Sequence, residues 1–292
     1  MIEWIWRQIG IELPADWECL QFARDPVMGR CAFADRHRYR CELSWRKFKA
    51  EPDFERMIKD YANSLESQWQ DIKTIRCRGM PGLIGRRGDE FVSRFGTYLP
   101  GAGILIELVF IHPDERDDKL EARILPTLRE VLPDADGLQQ WRAFGMDMRV
   151  PATFTLGECK VEPTRVGLKF EGDTAADRWI FRRYALVDEW LKQPLRDWLA
   201  GQHDEFVRDP RPETITRGNE HMERVSGRWK PKGLLLRGGH YAAAAWRNQV
   251  DRRLYHVICI TSRKNQNLHP QRGADERLRA TPEFLAVPTS AQ

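Results

Sequence analysis

A chain of 292 residues can hold two ordinary domains, and its 41% hydrophobic and 31% charged content excludes a disordered polymer. The 47 basic and 43 acidic residues leave a net charge of +4, too small an excess to mark a dedicated nucleic-acid binder. Six cysteines without a CxxC pair exclude zinc-ribbon and thioredoxin-type spacings and read as reduced thiols of a cytoplasmic protein.

In chain order, residues 2–9 set Ile2, Trp4, Ile5 and Ile9 along one side of a short helix that Gly10 breaks. The segment is too short and interrupted for a signal peptide. The longest apolar run, Ile104–Ile111, is broken by Glu107 and falls far short of a membrane span. Trp17–Phe22 reads as a strand, and Asp25-Pro26 with Gly29 as the turn after it. From Cys31 the odd positions Cys31, Phe33, Tyr39, Cys41, Leu43 and Trp45 alternate with Arg36, Arg38, Arg40 and Glu42. That period of two predicts a strand pair over Arg30–Phe48, with one face in a core and one in water.

Pro52, with Glu51 and Asp53 beside it, starts a helix over Pro52–Trp69 whose stripe is Phe54, Met57, Ile58, Tyr61, Leu65 and Trp69. Ile72–Cys77 follows as a strand, and the glycine-rich Gly79–Gly88 as a flexible hairpin loop with Arg86 and Arg87 at its tip. It lacks the Walker pattern and precedes a strand, so a phosphate cradle is the weaker reading. Glu90–Tyr98 and Gly103–His112 are strands joined at Pro100-Gly101, and residues 116–132 a second helix kinked at Leu125-Pro126. Pro133–Gly137 closes the unit.

The order then returns. Gly145–Pro151 and Val166–Leu186 supply strands, and Val187–Phe206 a helix interrupted by Pro194. A polar connection, Arg208–Thr214, leads to strands at residues 221–229 and 240–248, and Leu254–Ser262 is the counterpart of Ile104–His112. Arg272–Phe284 reads as a weak helix, and the tail after Val287 as disordered. The expected fold class is therefore α+β: two similar domains, residues 1–137 and 138–287, each a mainly antiparallel sheet flanked by helices, before a tail of 288–292.

The Pro14–Trp17 step (PADW), the hairpin and the long helix after it resemble the opening of the PsbP-like superfamily. The second copy keeps Pro151 but has Phe154 in place of the Trp. The resemblance implies a central antiparallel sheet flanked by helices in each half, and a largely non-enzymatic role in holding protein partners. It carries over no functional residue, and the lipid-attachment cysteine of several members is missing.

Candidate chemistry is sparse. The seven histidines include no HExxH or close metal pair, so no metal or cofactor is expected; His240 and His256 either face each other across a hairpin or are ordinary strand residues. His203-Asp204-Glu205 reads as a solvated helix end. Glu107 is either a carboxylate of raised pKa within a sheet or a strand residue beside an arginine, and alternation favours the second. No GxSxG or glycine-framed cysteine marks a nucleophile. The 11 tryptophans suit core packing and, if exposed, a binding surface. The expectation is a cytoplasmic, non-enzymatic adaptor or chaperone-like holder whose two sheets frame a groove for a protein segment. Arg86, Arg87, Trp229 and Arg237 are its candidate partner contacts. The alternatives are a nucleic-acid accessory role through Arg86–Arg87 and Arg224–Arg237, and an enzyme of unrecognised type.

Overall fold

The computed structural model describes residues 1–174, 177–202, 207–217, 220–230 and 238–262. The expected helix at Arg272–Phe284, the tail, His203–Glu205 and Arg237 lie outside these residues. The chain forms two compact units that meet in sequence between Leu132 and Pro133, just before the Pro133–Gly137 stretch.

Unit 1 opens with a hairpin of β1 (Ile2–Trp6) and β2 (Ile9–Leu13). The strands β3 (Glu18–Phe22), β4 (Met28–Ala34) and β5 (Tyr39–Lys47) follow, then helix α1 (Phe54–Leu65). Next come β6 (Gln70–Cys77), β7 (Met80–Arg87), β8 (Glu90–Leu99) and β9 (Ile104–His112). Helix α2 (Asp118–Ile124), a 3-10 turn and β10 (Arg129–Glu130), which pairs with β2, complete the unit. The seven strands β3 to β9 form one antiparallel sheet in the order β3-β4-β5-β9-β8-β7-β6.

Unit 2 repeats that plan. A hairpin of β11 (Leu138–Ala143) and β12 (Met146–Pro151) precedes β13 (Thr155–Glu162), β14 (Arg165–Glu171) and β15 (Arg178–Tyr184). Short helices α3 (Val187–Trp190) and α4 (Leu195–Ala200) come next. The unit continues through β16 (Val207–Arg217), β17 (Glu220–Trp229), β18 (Gly239–Arg247) and β19 (Leu254–Ser262). The order β13-β14-β15-β19-β18-β17-β16 is that of the first sheet, strand for strand.

The fold class departs from the α+β expectation. Among the described residues 57% are in strands and 13% in helices, so the chain is mainly antiparallel β and not a PsbP-like sheet flanked by helices. Several expected elements changed type for identifiable reasons. The expected helix over residues 2–9 is strand β1, a turn and the start of β2: Trp4, Ile5, Trp6, Ile9 and Ile11 are all buried, and strands buried on both faces show no alternation to distinguish them from a helix. The second helix stops at Ile124 because Pro126 has no N–H and collides with the preceding turn; β10 uses the remainder. The Val187–Phe206 helix breaks at Pro194, which stands at the N-cap of α4. Arg208–Thr214 is not a connection but part of β16, an edge strand with a bulge between Arg208 and Arg211, where Pro210 and Pro212 are tolerated. The expected loop Gly79–Gly88 is strand β7 (Met80–Arg87) between two turn glycines, and Gly85 is small because a Cβ there would stand 2.8 Å from the Trp69 ring.

One face of the first sheet carries the main core. Cys41, Leu43, Trp45, Phe95, Ile106, Leu108 and Phe110 point into it. The β1 hairpin covers it, with Trp4 edge-on to Phe33 at 5.3 Å. The other face receives α1 and holds the site described next.

Candidate functional site

Helix α1 starts at Asp53, whose side chain accepts a hydrogen bond from the Arg56 N–H at 3.1 Å, with Glu55 in the first turn. Its C-terminal end is seated: Leu65 and Trp69 pack on Leu83, Val92 and Val109, with Ile58, Ala62 and Ile72 around them. Its N-terminal half lies against the sheet less completely. Phe54 reaches Gly96, where a Cβ would come 3.1 Å from its ring, while Met57 and Tyr61 of the same stripe remain 38% and 37% exposed. Between this half of α1 and strands β4, β5, β8 and β9 lies an open, largely apolar cleft of about 790 Å³. Met28, 52% exposed, stands on its rim. The size and the apolar lining with few polar groups match those of ligand clefts.

The cleft floor is polar at its centre. Strand register sets Arg30, Ser44, Glu107 and Gly96 side by side in one row across β4, β5, β9 and β8. Arg94 lies one row away and bonds Glu107 at 3.1 Å. Its guanidinium stacks 4.9 Å from the Tyr61 ring and 5.4 Å from that of Trp69. Its Nε is buried with no acceptor among the described residues. Stacking contributes on the order of 0.5–2 kcal/mol and fixes the fork, whereas one unmet donor costs about 1–3 kcal/mol. Arg94 is thus held in place by ring faces as much as by hydrogen bonds, and one of its donors is unused. Three arginines line the cleft (Arg30, Arg46 and Arg94) against two carboxylates, Asp60 and Glu107. Arg30 bonds Glu42 at 3.4 Å and Asp60 bonds Arg56 at 3.7 Å, while exposed Arg46 carries no ion pair among the described residues.

In unit 2 the corresponding face is filled. The corresponding row, Lys169, Ile180, Ile258 and Ala243 across β14, β15, β19 and β18, is apolar except for Lys169 at its β14 end, and Val225 of β17 extends it. Trp198 and Leu199 of α4 and Val187 of α3 join it in one core, and Trp198 stands edge-on to the His256 ring at 5.2 Å. One strand plan therefore yields a dry core in unit 2 and an open, charged-floored cleft in unit 1.

Unit 1 also contains a buried polar cluster. The Glu121 carboxylate accepts from Ser93 Oγ at 2.5 Å, from His112 Nε2 at 3.0 Å and from Arg116, whose Nη2 lies 2.5 Å away. The Asp117 backbone N–H donates to His112 Nδ1 at 3.3 Å, so the proton of the neutral ring sits on Nε2 and points at Glu121. The imidazole has no lone pair left for the serine proton, and Ser93 gives that proton to the carboxylate. Ser93 and Glu121 are fully buried. The residue types are those of a hydrolytic triad, but the carboxylate, not the imidazole, is central, and the serine is sealed from any substrate. Burial pushes the Glu121 carboxyl up, but the hydrogen bonds from His112, Arg116 and Ser93 outweigh it and hold the group below its ordinary value. The cluster ties α2 to β8 and β9. His112, Arg116 and Glu121 are close in sequence, but Ser93 comes from the preceding strand, and no short motif announces the set.

The sequence-derived contacts fall elsewhere. Arg86 stacks on Phe91 at 4.5 Å, and Arg87 bonds Glu90 at 3.0 Å. Trp229 is buried in the helix-face core of unit 2, with Arg178 5.1 Å above its ring; Arg237 lies outside the described residues. The structure does not bring these four together as one surface. Ten of the 11 tryptophans are buried, leaving Trp190 partly exposed. His240 faces Thr261 and His256 faces Ala245, so the two histidines do not meet across their hairpin. Glu107 sits beside Arg94, as alternation suggested. Among the described residues no group of three or more His, Cys, Asp or Glu is placed to hold a metal ion, and no helix is long and apolar enough to cross a membrane.

No protein-family model matches the chain, and no curated protein matches it in sequence.

Proposed function

We propose that this is a binding protein without chemistry of its own. Its working surface is the unit 1 cleft, and its occupant is an apolar segment of a protein partner that carries an acidic residue. The observation that carries this reading is the open helix face of the first sheet, against the filled face of the second. An apolar wall with Met57 and Tyr61 exposed in solvent is costly for the free protein and is offset when a partner covers it. The arginine excess, with Arg46 in no ion pair among the described residues, favours a carboxylate beside the apolar anchors. The lined part of α1, from Phe54 to Ser64, is about 15 Å long, room for roughly three turns of an amphipathic helix. The free thiols Cys31, Cys41 and Cys259, buried like small hydrophobes, suit a reducing compartment such as the cytoplasm. The nucleic-acid reading has less support, since Arg86 and Arg87 are engaged by their neighbours.

The test is fluorescence anisotropy with labelled short amphipathic peptides, matched pairs bearing Glu or Lys beside the apolar anchors. The acidic member of a pair should bind about tenfold more tightly, the scale of one charge contact near 1.4 kcal/mol, and Met57→Lys should abolish binding while leaving the circular dichroism spectrum intact. Peptides that fail to bind, or bind equally well to Met57→Lys, would overturn the proposal.

A further inference from the structure

The turn between β11 and β12 is Phe144-Gly145, and both residues take positive φ, 52° and 69°. Two arginines from other parts of unit 2 converge on it. Arg183, near the end of β15, and Arg253, just before β19, both bring Nη1 to the open side of Gly145. A Cβ there would overlap Arg183 Nη1 and stand 3.5 Å from Arg253 Nη1. With both nitrogens close to one point, the two cations stand within the span of a single small anion. Arg183 is half-buried, lies between Val166 and Tyr255 in the sheet, and makes no hydrogen bond or ion pair among the described residues. The Arg253 side chain is 40% exposed, and its ion pair with Asp251 is a long contact of 3.9 Å. Asp251, the carboxylate that faces the pair, is already engaged: it accepts from the Tyr255 hydroxyl at 2.5 Å and from the Arg253 backbone N–H at 3.0 Å. Two guanidinium charges therefore face one carboxylate.

We infer that Arg183 and Arg253 form a binding site for a phosphate group beside the Phe144-Gly145 turn of unit 2. A cation drawn out of water without an acceptor is destabilising, and a second cation beside it adds repulsion; an anion between the two relieves both. Burial first, and then the Arg253 charge, push the Arg183 guanidinium down from its ordinary value, with Tyr255 and Asp251 opposing. Phosphate suits the pair better than a carboxylate does. The two oxygens of a carboxylate are taken up by one guanidinium fork, whereas a tetrahedral phosphate keeps oxygens for a second fork arriving from another part of the sheet. Gly145 belongs to the site through what it lacks, because a side chain there would displace Arg183 Nη1. Asp251 tempers the charge, and the Tyr255 hydroxyl holds that carboxylate in place. The exposed Arg253 marks the solvent side, so the remainder of a phosphate ester would lie outside the protein. Every residue of the site belongs to unit 2, which makes it independent of the unit 1 cleft.

The test follows the phosphorus NMR line width of inorganic phosphate, and separately of O-phosphoserine, as the full chain is titrated in at an ionic strength held constant with chloride. Saturable broadening with a dissociation constant on the order of 1 mM or tighter is expected for at least one of the two. Either result supports the site, and the tighter ligand tells whether the free ion or a phosphate ester is its source. Arg183→Gln and Arg253→Gln should each weaken binding by about tenfold or more, with circular dichroism spectra unchanged, whereas Arg87→Gln in unit 1 should bind as wild type does. No saturable broadening with either ligand, or broadening that both glutamine variants at the site retain, would overturn the assignment. Arg253 is partly exposed, so its variant decides the matter even if Arg183→Gln does not fold.

Discussion

Replacing Glu121 with Gln removes one charge from the buried cluster and almost no volume. The amide oxygen still accepts from Ser93 or His112, but its NH₂ then confronts the Arg116 fork, which loses two charge-assisted hydrogen bonds. Such bonds contribute about 1.5–3 kcal/mol each. Arg116 is about a quarter exposed and recovers part of this from water, so a net loss of roughly 2–3 kcal/mol is expected at neutral pH. The pH dependence identifies the cause. The folded-state pKa of Glu121 is depressed, so its contribution is complete above the unfolded value of about 4.3 and fades as pH falls through the lower folded value. The gap between wild type and Glu121→Gln should therefore narrow towards acid. Urea unfolding followed by circular dichroism at several pH values measures it, with the slope m checked for constancy. Equal midpoints at neutral pH, or a gap that does not narrow in acid, would refute the cluster's assigned role.

Other expectations follow from the same reasoning. The Asp35 carboxyl is brought to about 2, first by the His37 backbone N–H, with burial opposing and the Arg38 N–H and Arg40 assisting. Its hairpin turn should thus keep this support above the ordinary Asp range near 3.9 and lose it only as pH falls towards 2, which a carboxyl NMR titration would show. Trp229→Ala should destabilise by about 3–5 kcal/mol, the cost of emptying a large aromatic site in a core, and should not weaken peptide binding at unit 1. Thermal melts and the anisotropy assay together check both halves of that statement.

Much of the sheet was legible because its strands bury one face only. Cys41, Leu43 and Trp45 alternate with Arg40, Glu42 and Ser44, and the structure buries the first set. The repeated element order was visible for the same reason, and Pro52 placed the start of α1 two residues early: the helix runs Phe54–Leu65 with Asp53 as its cap, not Pro52–Trp69. Strands buried on both faces, such as Ile2–Trp6, carry no such alternation. The proline-bearing edge strand β16 reads as a loop because only its position at the sheet margin makes Pro210 and Pro212 acceptable. The cleft was hidden for a different reason. The stripe Phe54, Met57, Ile58, Tyr61, Leu65 and Trp69 looks uniformly core-facing, and periodicity cannot tell how much of the opposing sheet reaches it. Gly96 in β8, and the charged row Arg30–Ser44–Glu107 beside it, leave that side of the helix open.

The central claim is that the α1 cleft of unit 1 is where a partner docks. Hydrogen–deuterium exchange of the full chain, with and without the acidic amphipathic peptide that binds most tightly, tests it most directly. Bound peptide should slow exchange across Phe54–Leu65 and leave Val187–Ala200, the helices over the filled face of unit 2, unchanged. Saturating peptide with no protection in Phe54–Leu65, or with protection in unit 2 alone, would contradict the account.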